Sequence, residues 1–269
     1  MRNLIYALAV TILFFSCSGR NEAVFVPRVL NDTEKFNTYQ EGDALFIVKY
    51  GTDDRVKEDK DAEGEFSVKF RDTVVTIQTN PADKASIADK FSFAQYVNTQ
   101  KTSILVQIAD KSGLAAPVYL INLNENKIDV VSLYRASTGA KDKEFTKGLI
   151  KVAKSGYLIN NDFFITNVNA KAYMLKREKP EERIQGDYFN LSRDKQTLVF
   201  LLADALYQVH YATNEVVTVP LGVDSSMSRD QIEAYVASNF SWTFSNGIAF
   251  LKKKGDKGSD KVVDIASFK

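Results

Sequence analysis

The chain is predicted to be all-β and mostly antiparallel, and three observations carry that expectation. Short runs of β-branched and aromatic residues recur between turn residues along its whole length. Eighteen Phe and twelve Tyr supply bulky side chains that suit a half-buried pleated surface. A stretch beginning at Asn98 also recurs at Ser192.

The first observation rests on eight runs. They are Ala44–Val48, Phe66–Phe70, Thr73–Ile77, Ser103–Ile108, Val118–Ile121, Asp162–Ile165, Thr197–Leu202 and Leu206–Val209. In the seventh, Val199 and Leu201 fall on one face and Leu198, Phe200 and Leu202 on the other. Both faces are then covered, as in an inner strand between packed sheets. Two short helices are expected as connections. Asn80 followed by Pro81 reads as an N-cap and first helical position for residues 82–91. Ser228, three residues before Gln231, has capping-box spacing for a helix reaching about Ala237. The lysine-rich stretches at 141–143 and 252–261 read as solvated loops.

In the repeat, Asn98–Asp110 aligns with Ser192–Asp204 at an offset of 94, and Val118–Ile128 aligns with Leu206–Val216 at an offset of 88. Leu105 then pairs with Val199, Tyr119 with Tyr207 and Asn122 with His210, so each pair is expected to share its burial. A looser third copy places Val262–Ile265 over Val118–Ile121 at an offset of 144. Half of 94 and a third of 144 are 47 and 48, within the length of a propeller blade. The phrase from Ser192-x-Asp194 through Phe200, Tyr207 and Asn214-Glu215 resembles a blade of TolB-like or YncE-like propellers. The resemblance is good over 186–221, fair over 94–133, weak over 145–182 and 237–268, and poor before residue 80. It implies a small propeller of about five antiparallel blades. A β-sandwich with similar hairpins is the alternative.

The N-terminus has a different character. Arg2 precedes an apolar run from Leu4 to Phe15, which ends at Ser16-Cys17 before a polar stretch. The run is shorter than the ~20 residues of a spanning helix and suits the core of a signal peptide. Cys17 is the only cysteine of the chain, preceded by a small residue. This junction resembles the lipobox of bacterial lipoproteins, with Phe14 and Phe15 bulkier than the usual residues. The resemblance implies cleavage before Cys17, lipidation of its thiol, and membrane attachment through more than one acyl chain. Ser18 in place of Asp implies sorting to the outer membrane. The expected organisation is a signal peptide at 1–16, a lipid-anchored tether at 17–42 in which Val24–Val26 reads as either a short strand or the start of the fold, and a single propeller-like β domain at 43–269.

Cleavage removes Arg2 and leaves 34 basic against 34 acidic residues. That balance excludes the basic footprint of a nucleic-acid binder. The exported compartment permits disulfides, yet the mature domain has no second cysteine, so packing must hold it together.

Candidate chemistry is sparse. Asp59, Asp61 and Glu63 precede Gly64 in the manner of a calcium loop, but Phe70 stands where an EF-hand has its bidentate Glu. A hairpin calcium loop and a solvated hairpin both fit; otherwise no cofactor is expected. His210, the only histidine, cannot build a usual zinc site alone. It is expected to make at most one hydrogen bond, so that its loss costs little. Gly139-Ala140-Lys141 lacks the first glycine of a phosphate loop, and no nucleophile elbow occurs. Trp242, the only tryptophan, reads either as a core aromatic or as a platform for a sugar. The functional expectation is a non-enzymatic envelope lipoprotein that binds a protein or glycan partner. The alternatives are a carboxylate-dependent envelope hydrolase and an immunity protein against an exported toxin.

The anchor makes the first prediction. Cys17→Ser should abolish metabolic acyl labelling and leave a soluble or unprocessed protein. A processed variant that still fractionates with membranes would refute the lipobox.

Overall fold

A computed structural model describes residues 21–36, 43–50, 65–108, 117–124, 126–139, 141–168, 170–223 and 226–255. The described chain is mostly β, in several largely antiparallel sheets with no closed barrel. The first sheet takes its strands in the order β1 (Asn21–Phe25), β6 (Thr73–Gln78), β5 (Phe66–Phe70) and β4 (Leu45–Lys49), with β7 (Ile87–Ala88) also on β6. The second is β8 (Phe93–Tyr96), β9 (Ser103–Gln107), β10 (Val118–Asn124) and β11 (Lys127–Ser132), with β2 (Arg28–Val29) beside β11. The third is β12 (Leu149–Val152), β13 (Gly156–Ile159), β14 (Phe163–Thr166) and β15 (Lys171–Met174), with β3 (Thr33–Lys35) beside β15. The fourth is β16 (Asp187–Leu191), β17 (Thr197–Leu201), β18 (Ala205–His210) and β19 (Glu215–Pro220); the fifth is β20 (Phe240–Ser245) with β21 (Ile248–Lys253).

Each sheet packs face to face on the next through its own apolar layer. Val68, Val75 and Ile77 meet Ile104, Tyr119 and Ile121 between the first and second sheets. Leu105 and Leu120 meet Tyr157, Ile159 and Phe163 between the second and third. Leu158 and Phe164 meet Leu198, Phe200 and Tyr207 between the third and fourth. Val199 and Leu206 meet Phe240 and Leu251 between the fourth and fifth. The alternation along β17 therefore serves two cores, as its unbroken apolar run predicts.

The strand register reproduces the repeat. Ser103 lies opposite Asn122 as Thr197 lies opposite His210, and Leu105 opposite Leu120 as Val199 opposite Gln208. Leu105 and Val199 are fully buried and face the following sheet; Tyr119 and Tyr207 are buried and face the preceding one. The third copy is out of phase. At the offset of 144 Leu105 falls on Ala249, but Ala249 shares its strand face with Leu251, which points back at the fourth sheet. A one-residue slip exchanges the two faces of a strand, so β21 is out of step with that match by an odd number of residues. Residues 262–265 lie outside the described residues.

Two further expectations are corrected. Residues 82–91 form turns and the short strand β7 instead of a helix. Asn80 Oδ1 accepts the Ala82 N–H, Asp83 Oδ1 accepts the Ala85 N–H, and the Ser86 hydroxyl accepts the Asn80 N–H while donating to a backbone carbonyl. These side chains occupy the backbone groups that a helix would need. The expected tether is the second case, since residues 21–35 pair in turn with the first, second and third sheets. β1 and β2 run parallel to β6 and β11, and β3 runs antiparallel to β15. Polar composition concealed this because edge strands need few buried side chains; Val24, Val26 and Val29 are indeed exposed. Arg28 fastens the strap by donating to both Asp129 and Glu34, which holds the Glu34 carboxyl below its ordinary range. The second expected helix forms over Arg229–Asn239, with the complete Ser228–Gln231 capping box.

The third sheet carries the hub of the linkers. Asn160 and Asn161 both adopt left-handed backbone angles in the tight β13–β14 turn, a conformation Asn tolerates better than most residues. Asn160 Oδ1 accepts the Gly148 N–H, and Asn161 Nδ2 donates to the Ile184 and Gly186 carbonyls. The following Asp162 is completely buried. Its carboxylate accepts from Arg177 at 2.8 and 3.0 Å and from Arg183 at 3.0 Å. Arg177 also donates to the Ala136 and Pro180 carbonyls, and Arg183 to those of Arg135 and the Thr146 hydroxyl. Asp162→Asn would leave two buried guanidinium groups without their counter-charge and should cost about 3–5 kcal/mol. Urea unfolding would measure it; a loss below 1 kcal/mol would mean that the arginines find other partners.

Candidate functional site

An open groove of about 760 Å³ lies between the first strands of the fourth and fifth sheets, closed at one end by the Arg229–Asn239 helix. Four aromatic side chains line it, each placed by local backbone geometry. Phe189 is the extra residue of a β-bulge between Tyr188 and Asn190, so it has no partner on β17. Phe240, Trp242 and Phe244 alternate onto one face of β20. Phe240 is buried in the core, Trp242 is half-buried, and Phe244 is 67% exposed, so the face grades from core to open surface. Val236 and Ala237 of the helix complete the apolar lining.

The polar groups stand at the margins. Arg193 lies in the turn after β16. Lys254 follows β21, and its ammonium donates to the Ser238 carbonyl at 2.6 Å. Glu233 is the sole acid along the groove among the described residues, and Arg229 binds it at 3.1 Å. No carboxylate pair therefore converges in the groove. What the arrangement can do is stack flat apolar surfaces on exposed rings and pair anions at its edges.

A smaller cavity of about 370 Å³ lies where turns of the third and fourth sheets meet, bounded by Tyr173, Tyr211, Lys154 and Asp194. The two tyrosine rings lie 4.7 Å apart. Tyr211 donates to the Lys195 carbonyl, and burial pushes its hydroxyl up to about 12. The Ser192-x-Asp194 turn is built by hydrogen bonds: Ser192 donates to Asp194 and accepts the Gln196 and Thr197 N–H groups. These residues hold a turn and leave no side chain poised for chemistry.

Cys17, Asp59, Asp61 and Glu63 lie outside the described residues. Among the described residues, no three His, Cys, Asp or Glu side chains cluster as a metal site would require. Trp242 lies in the groove with Phe189 and Arg193, two residues that sequence reasoning did not single out. A bulge leaves no clear mark in hydrophobic alternation, and nothing in the sequence relates residue 189 to residue 242.

His210 corrects an expectation. Both ring nitrogens are engaged, Nδ1 with the Thr213 hydroxyl at 2.8 Å and Nε2 with Gln196 Oε1 at 3.0 Å. Thr213 also directs its backbone N–H at Nδ1, so the neutral tautomer protonated on Nε2 satisfies every partner. Burial lowers its pKa below the ordinary 6.5. The unfolded chain then binds the extra proton first, so stability falls as pH drops through about 6.5 and levels off below the folded pKa. His210→Ala should cost about 1–3 kcal/mol by leaving Gln196 and Thr213 unsatisfied. His210→Gln should remove this part of the acid sensitivity. Thermal melts between neutral and acidic pH would check both, and an unchanged pH slope in His210→Gln would refute the assignment.

Compared with protein-family models, curated proteins and solved structures, the chain matches none.

Proposed function

We propose that this protein is an outer-membrane lipoprotein whose sheets close into a small five-bladed propeller and whose aromatic groove binds a glycan. The exposed aromatic face of the groove carries the functional reading. Trp242 offers a ring face that matches the C–H face of a pyranose, and Phe244 extends that surface into solvent. Such rings supply contact area with little loss of conformational freedom.

Ring closure has its own support. In an open stack the outward faces of the first and last sheets would meet water. Instead Ser67 and Thr76 are buried on the first, and Ile248 and Phe250 on the fifth, each on the face turned away from its stacked neighbour. A fifth sheet seated against the first covers both. The groove then lies at the inner ends of two adjacent blades, beside the mouth of a central channel. Blade-by-blade packing in one sense, with inner strands β4, β8, β12, β16 and β20, agrees with that closure. The hydrolase reading has weaker support, because among the described residues Glu233 lacks a second carboxylate along the groove.

A glycan array probed with the full-length protein in detergent tests the proposal. Binding to defined saccharides is expected, with loss in Trp242→Ala. An array on which the wild-type protein binds no saccharide would overturn it.

A further inference from the structure

The charges along the groove are not balanced within it. Among the described residues Arg193 has no hydrogen-bond or ion-pair partner. Lys254 meets a carbonyl and no carboxylate. The one acid, Glu233, is already held by Arg229, whose guanidinium also donates to the Tyr188 carbonyl and lies over Phe189. The groove therefore presents two cations whose charge no described residue in it answers.

Their placement follows from chain direction. The helix sits at the start of β16, where Arg229 reaches the Tyr188 carbonyl and Tyr235 the Leu221 carbonyl. The same helix runs directly into Phe240, so β20 starts at that end too. Lys254, beside Ser238 and Asn239, belongs to the helix end. Arg193, in the turn beyond the far end of β16, belongs to the opposite one. Between them, level with the Asn190–Val199–Gln208 row, lies Trp242, fixed there because Gln208 clasps the backbone of its strand partner Leu251 in both directions. The order along the groove is cation, aromatic platform, cation.

We propose that the groove's ligand is an acidic oligosaccharide, with a sugar face on Trp242 and carboxylates on Arg193 and Lys254. This rests on the glycan reading above and adds the charge class. A guanidinium binds a carboxylate through two parallel hydrogen bonds, so Arg193 supplies orientation as well as charge. Neutral sugars use the rings alone and leave both cations unanswered. Single-stranded nucleic acid shares the combination of rings and cations, but with 35 basic against 34 acidic residues the chain carries almost no net positive charge to draw a polyphosphate.

Trp242 is the only tryptophan, so its fluorescence reports on the groove without a label. The full chain in non-ionic detergent would be titrated with trigalacturonate, its methyl ester, a short oligothymidylate and anionic phospholipid vesicles. A saturable change with trigalacturonate is expected, weakened about tenfold or more by esterification and by Arg193→Gln or Lys254→Gln. It should also weaken as salt screens the two contacts. Both substitutions are at the groove margin, and unchanged thermal melts would show that the variants are folded. Equal binding of the ester and the acid would sink the acidic inference while leaving the glycan reading intact. So would binding of other array saccharides with no response to trigalacturonate. Oligothymidylate or vesicles binding as tightly as trigalacturonate would overturn saccharide selectivity, and an absence of any saccharide binding would remove both readings.

Discussion

The rest of the structure depends on one buried carboxylate. Asp162 sits at zero exposure, and two arginines from the chain segment between the third and fourth sheets converge on it. Ion pairs so buried contribute little net stability over an apolar core, because desolvation offsets the attraction. Their effect lies in what they exclude. Arg177 and Arg183 reach the segment before β12 as well as the turn after β13, so the three pieces of chain have one mutual arrangement. The two asparagines of the same turn complete the lock through backbone groups on either side. Sheets that meet only through apolar layers can slide, since such layers are non-directional; this turn fixes their phase.

Legibility in the sequence followed the physics of each element. Strands buried on both faces announce themselves as unbroken apolar runs, and β17 and β10 were readable for that reason. Two copies of the repeat were readable down to the opposed pairs Ser103–Asn122 and Thr197–His210, because a shared register constrains which residue types meet. Of the edge strands, β1 was readable only at Val24–Val26 and β2 and β3 not at all, since an edge presents backbone to its neighbour and asks little of side chains. The Asn80–Ser86 segment misled because a cap followed by Pro marks a helix start only when later side chains do not claim the backbone groups. In the fifth sheet similar residue types fit at two phases, and packing against Leu206 and Val199 selected the one that sequence matching did not.

The candidate site was legible in one residue. Trp242 stood out by rarity, while Phe189 owes its position to a bulge and Arg193 and Lys254 to turns at opposite ends of the groove. Its parts come from two sheets and a helix separated by some fifty residues of chain. A site assembled across sheets leaves no spacing motif, unlike a loop that gathers its ligands locally. The Asp162 hub escaped for the same reason, since nothing in the sequence says that Arg177 and Arg183 share one acid.

The N-terminal strap bears on what the proposed anchor would mean for this molecule. Were Cys17 to carry a lipid, pairing begun at Asn21 would leave four peptide units between bilayer and folded protein, a reach of about 14 Å at full extension. A body on so short a lead would ride close to the membrane surface. Any tug on the lipid would pass into β1 and along the outer edges of three sheets. The groove lies on sheets that the strap does not touch, so the mechanically loaded side of the molecule and its proposed binding side would be different.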